Sequence, residues 1–147
     1  MKNLVLTAVL LLPVAAFAHD DHDAGIGQPG KATAKTRMVK VAMAAPMRFT
    51  PAKVSVKGGE TVRFVLTNTD DRAHEFMLGE ITALQAHAAE MKKHPEMVHD
   101  EANAITLLPG QTGELVWTFP KSGVVDFACL LPGHFEAGMQ GRVEVRP

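Results

Sequence analysis

Most of the chain alternates between apolar and polar residues with a period of two. The alternation is clear over residues 39–43, 53–56 and 61–67, and the turn signal Lys57-Gly58-Gly59-Glu60 separates the last two segments. Every second side chain of a β-strand points to the same face, so this pattern predicts strands with one buried face. Further short strands are predicted at residues 74–78, 104–108, 114–119, 124–129 and 141–145.

One segment breaks this alternation. Residues 80–93 are rich in Ala, lack Gly and Pro, and end shortly before Pro95, which predicts a helix. Its apolar residues recur at helical spacing, namely Ile81, Leu84, Ala88 and Met91. Short strands joined by turns, with one helix among them, predict an all-β fold. We expect an antiparallel β-sandwich with a short helical insertion over about residues 80–102.

The first 18 residues have the features of a secretory signal peptide. Lys2 gives the positive start, residues 4–14 the apolar segment, and Ala16-Phe17-Ala18 the cleavage pattern. A bilayer span needs about 20 apolar residues, so an uncleaved anchor is the less favoured alternative. We expect export, cleavage after Ala18, and no membrane insertion of the mature protein.

The mature chain is predicted to consist of an arm and one domain. Residues 19–36 begin with His19-Asp20-Asp21-His22-Asp23 and continue with Gly, Ala, Lys and Thr, a composition typical of a mobile polar arm. The domain would then span residues 37–147. The formal net charge is −1, or −2 once Lys2 is removed, so we expect neither nucleic acid nor a lipid surface as a partner.

The candidate chemistry lies in the segment Cys129-Leu-Leu-Pro-Gly-His134-Phe-Glu-Ala-Gly-Met139, which holds the only cysteine. A single cysteine cannot form an internal disulfide, so in an exported protein burial or metal ligation explains it best. A thiolate, an imidazole and a thioether are ligand types of a type 1 copper site, which has a trigonal His2Cys set and a weak axial Met. Cys129, His134 and Met139 are therefore predicted copper ligands.

That set requires a second histidine from an earlier strand. His74, at the start of a predicted strand, is the best placed candidate, whereas His87, His94 and His99 lie in or after the helix. Taken singly, the three C-terminal residues have plainer interpretations, as a buried core cysteine, a loop histidine and a core-filling methionine. Their combination with the strand pattern favours copper, because such a ligand set suits both Cu(II) and Cu(I).

Two segments resemble the cupredoxins. Residues 49–68 resemble the N-terminal half of that family, and residues 123–145, with the C-x4-H-x4-M spacing, resemble its ligand-bearing end. The resemblance covers about residues 38–147 without the insertion, and it implies a Greek-key β-sandwich that binds one type 1 copper. The His-containing start and the Met/His-rich insertion are similar to those of periplasmic cupredoxins linked to copper tolerance, which implies a periplasmic location.

The sequence departs from the family pattern after the first ligand histidine. Many cupredoxins have Asn at that position, where it ties the two ligand loops together, and this chain has Glu75. Hydrogen bonds of this kind orient ligands and tune the metal. The sequence therefore does not predict the usual bond between the loops.

Two other groups of residues are candidates for additional copper. Cleavage after Ala18 would let the amine and imidazole of His19 chelate Cu(II) with Asp20 and His22 nearby. The alternative there is a solvated acidic tail. The second group combines nitrogen and sulfur ligands that suit Cu(I), and its first three members share one helical face. It comprises His87, Met91, His94, Met97 and His99. The alternative there is an amphipathic helix with Met91 packed inward.

Three functions fit these features to different degrees. A one-copper protein that cycles one electron and serves copper tolerance is favoured, because a plain shuttle has no evident need for the extra His and Met residues. A general electron shuttle with a redox-protein partner is the alternative. An enzyme is disfavoured, since a single domain with one cysteine has neither the histidine pairs of a catalytic copper nor the two cysteines of a binuclear centre.

Overall fold

The computed structural model describes residues 25–95 and 101–147, so the predicted signal peptide, His19 and His22 lie outside the described residues. The described part is mostly β-structure with one helix. The strands are β1 Gln28–Pro29, β2 Arg37–Ala44, β3 Arg48–Thr50, β4 Lys53–Lys57, β5 Thr61–Asn68, β6 His74–Gly79, β7 Ala104–Leu107, β8 Thr112–Thr118, β9 Gly123–Ala128 and β10 Gln140–Arg146, and the helix is α1 Ile81–Lys93. In the described part of the chain, no helix is long and apolar enough to cross a membrane.

The strands form two five-stranded sheets, with the orders β1-β8-β5-β2-β3 and β4-β10-β9-β6-β7. The predicted all-β sandwich is confirmed, but the sheets are not purely antiparallel. β2 pairs with β5 in parallel, and β4 pairs with β10 in parallel. The parallel pairs arise because the chain moves to the other sheet for β4 and returns for β5. The sequence did not predict them, because the alternation of side chains carries no information about strand direction.

An aromatic core lies between the two sheets. Phe64 of one sheet lies 5.3 Å from Phe76 of the other, measured between ring centroids, and Phe76 lies 4.8 Å from Phe127. Side chains two residues apart on a strand share a face. His74, two residues before Phe76, and Cys129, two residues after Phe127, therefore continue the inward-facing rows towards one end of the sandwich, and both are buried.

The N-terminal boundary of the fold lies earlier than the predicted start at Arg37. Gln28 and Pro29 pair with β8, Ile26 is buried, and the indole Nε1–H of Trp117 donates to the carbonyl of Ile26 over 2.7 Å. The prediction of a mobile arm therefore does not hold for residues 26–29. A single buried isoleucine in a Gly-rich segment produces no periodicity from which this docking could be predicted.

The predicted helix is present as α1, between β6 and β7. Leu84, Ala88 and Met91 form its buried face. They pack in a helix cluster that also contains Met77, Ala128 and Leu130. Because Leu130 directly follows Cys129, the helix supports the end of the sandwich that carries the candidate ligands.

Candidate metal centre

Three predicted ligands meet at one end of the sandwich. His74 is the first residue of β6, Cys129 directly follows β9, and His134 lies in the loop before β10. The Nδ1 atoms of the two histidines are 3.2 Å apart, and the Nδ1 atom of His134 is 3.2 Å from the Sγ atom of Cys129. The three ligand atoms all lie within 4.8 Å of one another.

The spacing of these atoms fits a single metal ion. For metal–nitrogen distances of about 2.0–2.1 Å, as for zinc, two nitrogens on a common ion are at most roughly 4.2 Å apart. The observed separation of the two nitrogens is 3.2 Å, so both can bind the same ion. Two imidazoles and one thiolate are the donor set of a copper electron-transfer site when a weak axial ligand completes it.

The site is shielded from water. His74 and Cys129 are fully buried, and His134 is 9% exposed. Burial raises the pKa of the Cys129 thiol to about 11, so the thiol is protonated at neutral pH without metal, and metal binding must displace that proton. Burial also lowers the pKa of His134, which favours the neutral imidazole that binds metals.

The loop from Cys129 to Met139 is closed by its own backbone. The N–H of Cys129 donates to the carbonyl of Met139 over 3.1 Å, and the N–H of Met139 donates to the carbonyl of His134 over 3.0 Å. Gly133 and Gly138 have φ values of +86° and +87°, a region in which glycine is the least strained residue. Met139 is fully buried, and the two backbone bonds place its main chain beside those of Cys129 and His134.

Glu75 joins the two ligand segments in this chain. Its backbone N–H donates to the Sγ atom of Cys129 over 3.3 Å, and its carboxylate Oε2 accepts from the backbone N–H of Leu130 over 3.3 Å. Glu75 is only 3% exposed. The link that the sequence did not predict therefore exists, because a glutamate carboxylate offers an acceptor oxygen to the neighbouring segment.

Asp70 and Asn68 were not predicted as site residues. The Oδ2 atom of Asp70 lies 3.0 Å from the outer Nε2 atom of His74. The hydrogen bond with His74 is the main reason that the pKa of Asp70 lies below its usual value. The only available sequence signal was the polar run Asn68-Thr69-Asp70-Asp71 before the strand, which is typical of any Asx turn.

The residues predicted to bind additional copper are only partly described. Met91 is buried in the helix cluster, as the amphipathic alternative expects, His87 is half-buried, and His94 is exposed. Met97 and His99 lie outside the described residues, as do His19 and His22. Within residues 25–95 and 101–147, the one cluster of three His, Cys, Asp or Glu ligand atoms is that of His74, Cys129 and His134. Additional copper stays a prediction.

Similar proteins were found by sequence and by structure. The copper-resistant cuproprotein CopI of Rubrivivax gelatinosus is 45% identical, with 99% of this chain and 100% of that protein covered. CopI of Pseudomonas aeruginosa is 33% identical, with 99% and 95% covered. Reduced auracyanin from Roseiflexus castenholzii superposes with a TM-score of 0.65 at 22% identity, over 76% of this chain and 98% of that one, which supports the fold.

The family assignment combines these similarities with the geometry of the site. The model of the copper binding proteins of the plastocyanin/azurin family matches residues 35–146. That range includes the His74, Cys129 and His134 cluster and both sheets except β1. The chain therefore belongs to the plastocyanin/azurin family of copper-binding proteins, the cupredoxins.

Proposed function

We propose that this chain is an exported type 1 copper protein that cycles one electron and serves copper tolerance. His74, Cys129 and His134 would bind the ion, with Met139 as the weak axial ligand. The observation that carries the proposal is the convergence of two imidazole nitrogens and one thiol sulfur within 4.8 Å in a buried site. Copper bound there supplies a one-electron Cu(II)/Cu(I) couple.

The one-electron role is supported by how firmly the chain holds these side chains. His74 begins a wholly buried strand, and the backbone bonds within the 129–139 loop restrain the other ligands. A ligand set that is fixed before the metal binds needs little rearrangement when the metal changes its charge. The chain's own contribution is thus to orient the ligands and to exclude water.

The cellular role is supported by the CopI relatives, which bear the name copper-resistant cuproprotein and match almost the whole of this chain. Together with the predicted signal peptide, this similarity favours a periplasmic protein that handles copper. We expect no enzymatic activity, because a chain with one cysteine lacks the second cysteine of a binuclear copper centre. A general electron shuttle would use the same metal site, so only a test in cells and with redox partners separates the two roles.

The proposed function is tested by complementation of a strain that lacks the gene. The wild-type chain should restore growth on copper, and Cys129→Ser should not, because a serine hydroxyl is a poor replacement for a thiolate on copper. Full growth with Cys129→Ser at equal protein levels would contradict the proposal. Rapid electron exchange with a c-type cytochrome, without any effect on copper tolerance, would instead establish the shuttle.

A further inference from the structure

The outer edge of the His74 ring faces a carboxylate. Its Nε2 atom lies 3.0 Å from the Oδ2 atom of Asp70, and the side chains are 0% and 10% exposed. The opposite nitrogen of the same ring, Nδ1, faces His134. Asp70 therefore contacts a candidate ligand from the side away from the metal position.

Position 70 requires two acceptor oxygens. The Oδ1 atom of Asp70 accepts the backbone N–H of Asp71 over 2.8 Å, while Oδ2 faces the ring nitrogen of His74. A carboxylate supplies both acceptors, whereas the amide of Asn has one acceptor oxygen and an NH2 group that can only donate. Asn at this position would therefore place its NH2 group against either the backbone N–H of Asp71 or the Nε2 group of His74, so that one donor would face another.

Asp70 is itself held in place by Asn68. The backbone N–H of Asp70 donates to the Oδ1 atom of Asn68 over 3.0 Å. The Nδ2 atom of Asn68, which is fully buried, donates to the carbonyls of Arg72 over 2.7 Å and Leu107 over 2.9 Å. These bonds connect the loop before His74 to the neighbouring strand β7, so the carboxylate is fixed before any metal binds.

We propose that Asp70 is a positioning residue that orients His74 for copper and favours Cu(II) over Cu(I). This inference rests on the proposed type 1 copper function. A carboxylate that accepts from Nε2 keeps the proton on that nitrogen, so the lone pair of Nδ1 points to the metal, and it makes the imidazole a stronger donor. The negative charge of Asp70 acts across the buried His74 ring and stabilises Cu(II), the more positive ion, relative to Cu(I).

The test compares Asp70→Asn with Asp71→Asn. Both variants remove one negative charge, but the Asp71 side chain is 89% exposed, so its charge is largely screened by solvent and salt. We expect Asp70→Asn to lower Cu(II) affinity by about 10- to 100-fold, with a smaller effect on Cu(I). Each tenfold loss of Cu(II) affinity relative to Cu(I) affinity raises the reduction potential by about 59 mV. The potential of Asp71→Asn should stay at the wild-type value.

A second measurement uses the wild-type protein and does not depend on the folding of a variant. Nitrogen NMR of the Cu(I)-loaded chain should find a proton on Nε2 of His74. A metal-bound or unprotonated Nε2 would overturn the proposal, and so would equal potentials for the two variants. The proposed function fails separately, if wild-type protein loaded with Cu(II) shows no thiolate-to-copper absorption band.

Discussion

Cys129 shows how burial and ligand chemistry combine in a single residue. Its side chain is fully buried, and burial raises the pKa of its thiol to about 11. The thiolate is the reactive and metal-binding form of cysteine. The same environment therefore protects the thiol when no metal is bound and makes copper binding compete with a proton.

The metal-free protein should accordingly resist thiol reagents. At pH 8 we expect negligible labelling of folded Cys129 by iodoacetamide, and complete labelling after unfolding in guanidinium chloride, both measured by mass spectrometry. Because the bound thiol must lose its proton, Cu(II) affinity should also rise with pH through the neutral range. Rapid labelling of the folded, metal-free chain would show that Cys129 is not buried as described.

The axial and equatorial ligands should respond differently to substitution. Met139→Leu should keep copper bound but change the potential and the visible spectrum, because the axial bond is weak. His74→Ala and His134→Ala should weaken binding or open the site to water and to added imidazole. An unchanged spectrum in His74→Ala would mean that His74 is not the upstream ligand.

At the scale of elements, the loop between β5 and β6 depends on Asn68. Its buried side chain bonds to Asp70, Arg72 and Leu107. Asn68→Ala would leave buried backbone groups without partners. We therefore expect the free energy of unfolding to fall by about 2–4 kcal/mol. Chemical denaturation of the metal-free protein measures this change.

The matched control is Thr67→Ala in the neighbouring position. Thr67 shares an exposed hydroxyl contact of 3.1 Å with Thr112, so its loss should cost less than about 1 kcal/mol. Equal effects of the two variants would contradict the role given to Asn68. Beyond stability, Asn68→Ala should broaden the copper spectrum, because it frees the loop that carries Asp70.

The elements were predictable from the sequence to different degrees. The helix over residues 81–93 and most strands follow from periodicity, because buried faces recur every 3.6 or two residues. Strand direction and the docking of Ile26 depend on contacts with distant segments, which local patterns do not contain. The chemistry and spacing of Cys129, His134 and Met139 sufficed to predict them as ligands, and the structure brings Cys129 and His134 together with His74. Asp70 became recognisable only once the loop placed its carboxylate against His74.

At the scale of the whole molecule, the N-terminal residues before the sandwich are predicted to add copper capacity. Removal of residues 19–23 should lower the copper stoichiometry while the charge-transfer band persists, because the main site is built on strands β6 and β9 and on the 129–139 loop. The extra copper should weaken near pH 5, since histidines with a pKa of about 6.5 become protonated. A single copper per full mature chain under mild excess would contradict both additional sites.

A Cu(II) titration of the chain lacking residues 1–23, followed by visible absorption and copper analysis, tests directly whether His74, Cys129 and His134 bind copper. We expect an intense thiolate-to-copper band that saturates at one copper per chain and is absent in Cys129→Ser. A colourless copper complex, or a band of equal intensity in Cys129→Ser, would contradict a copper site built from His74, Cys129 and His134.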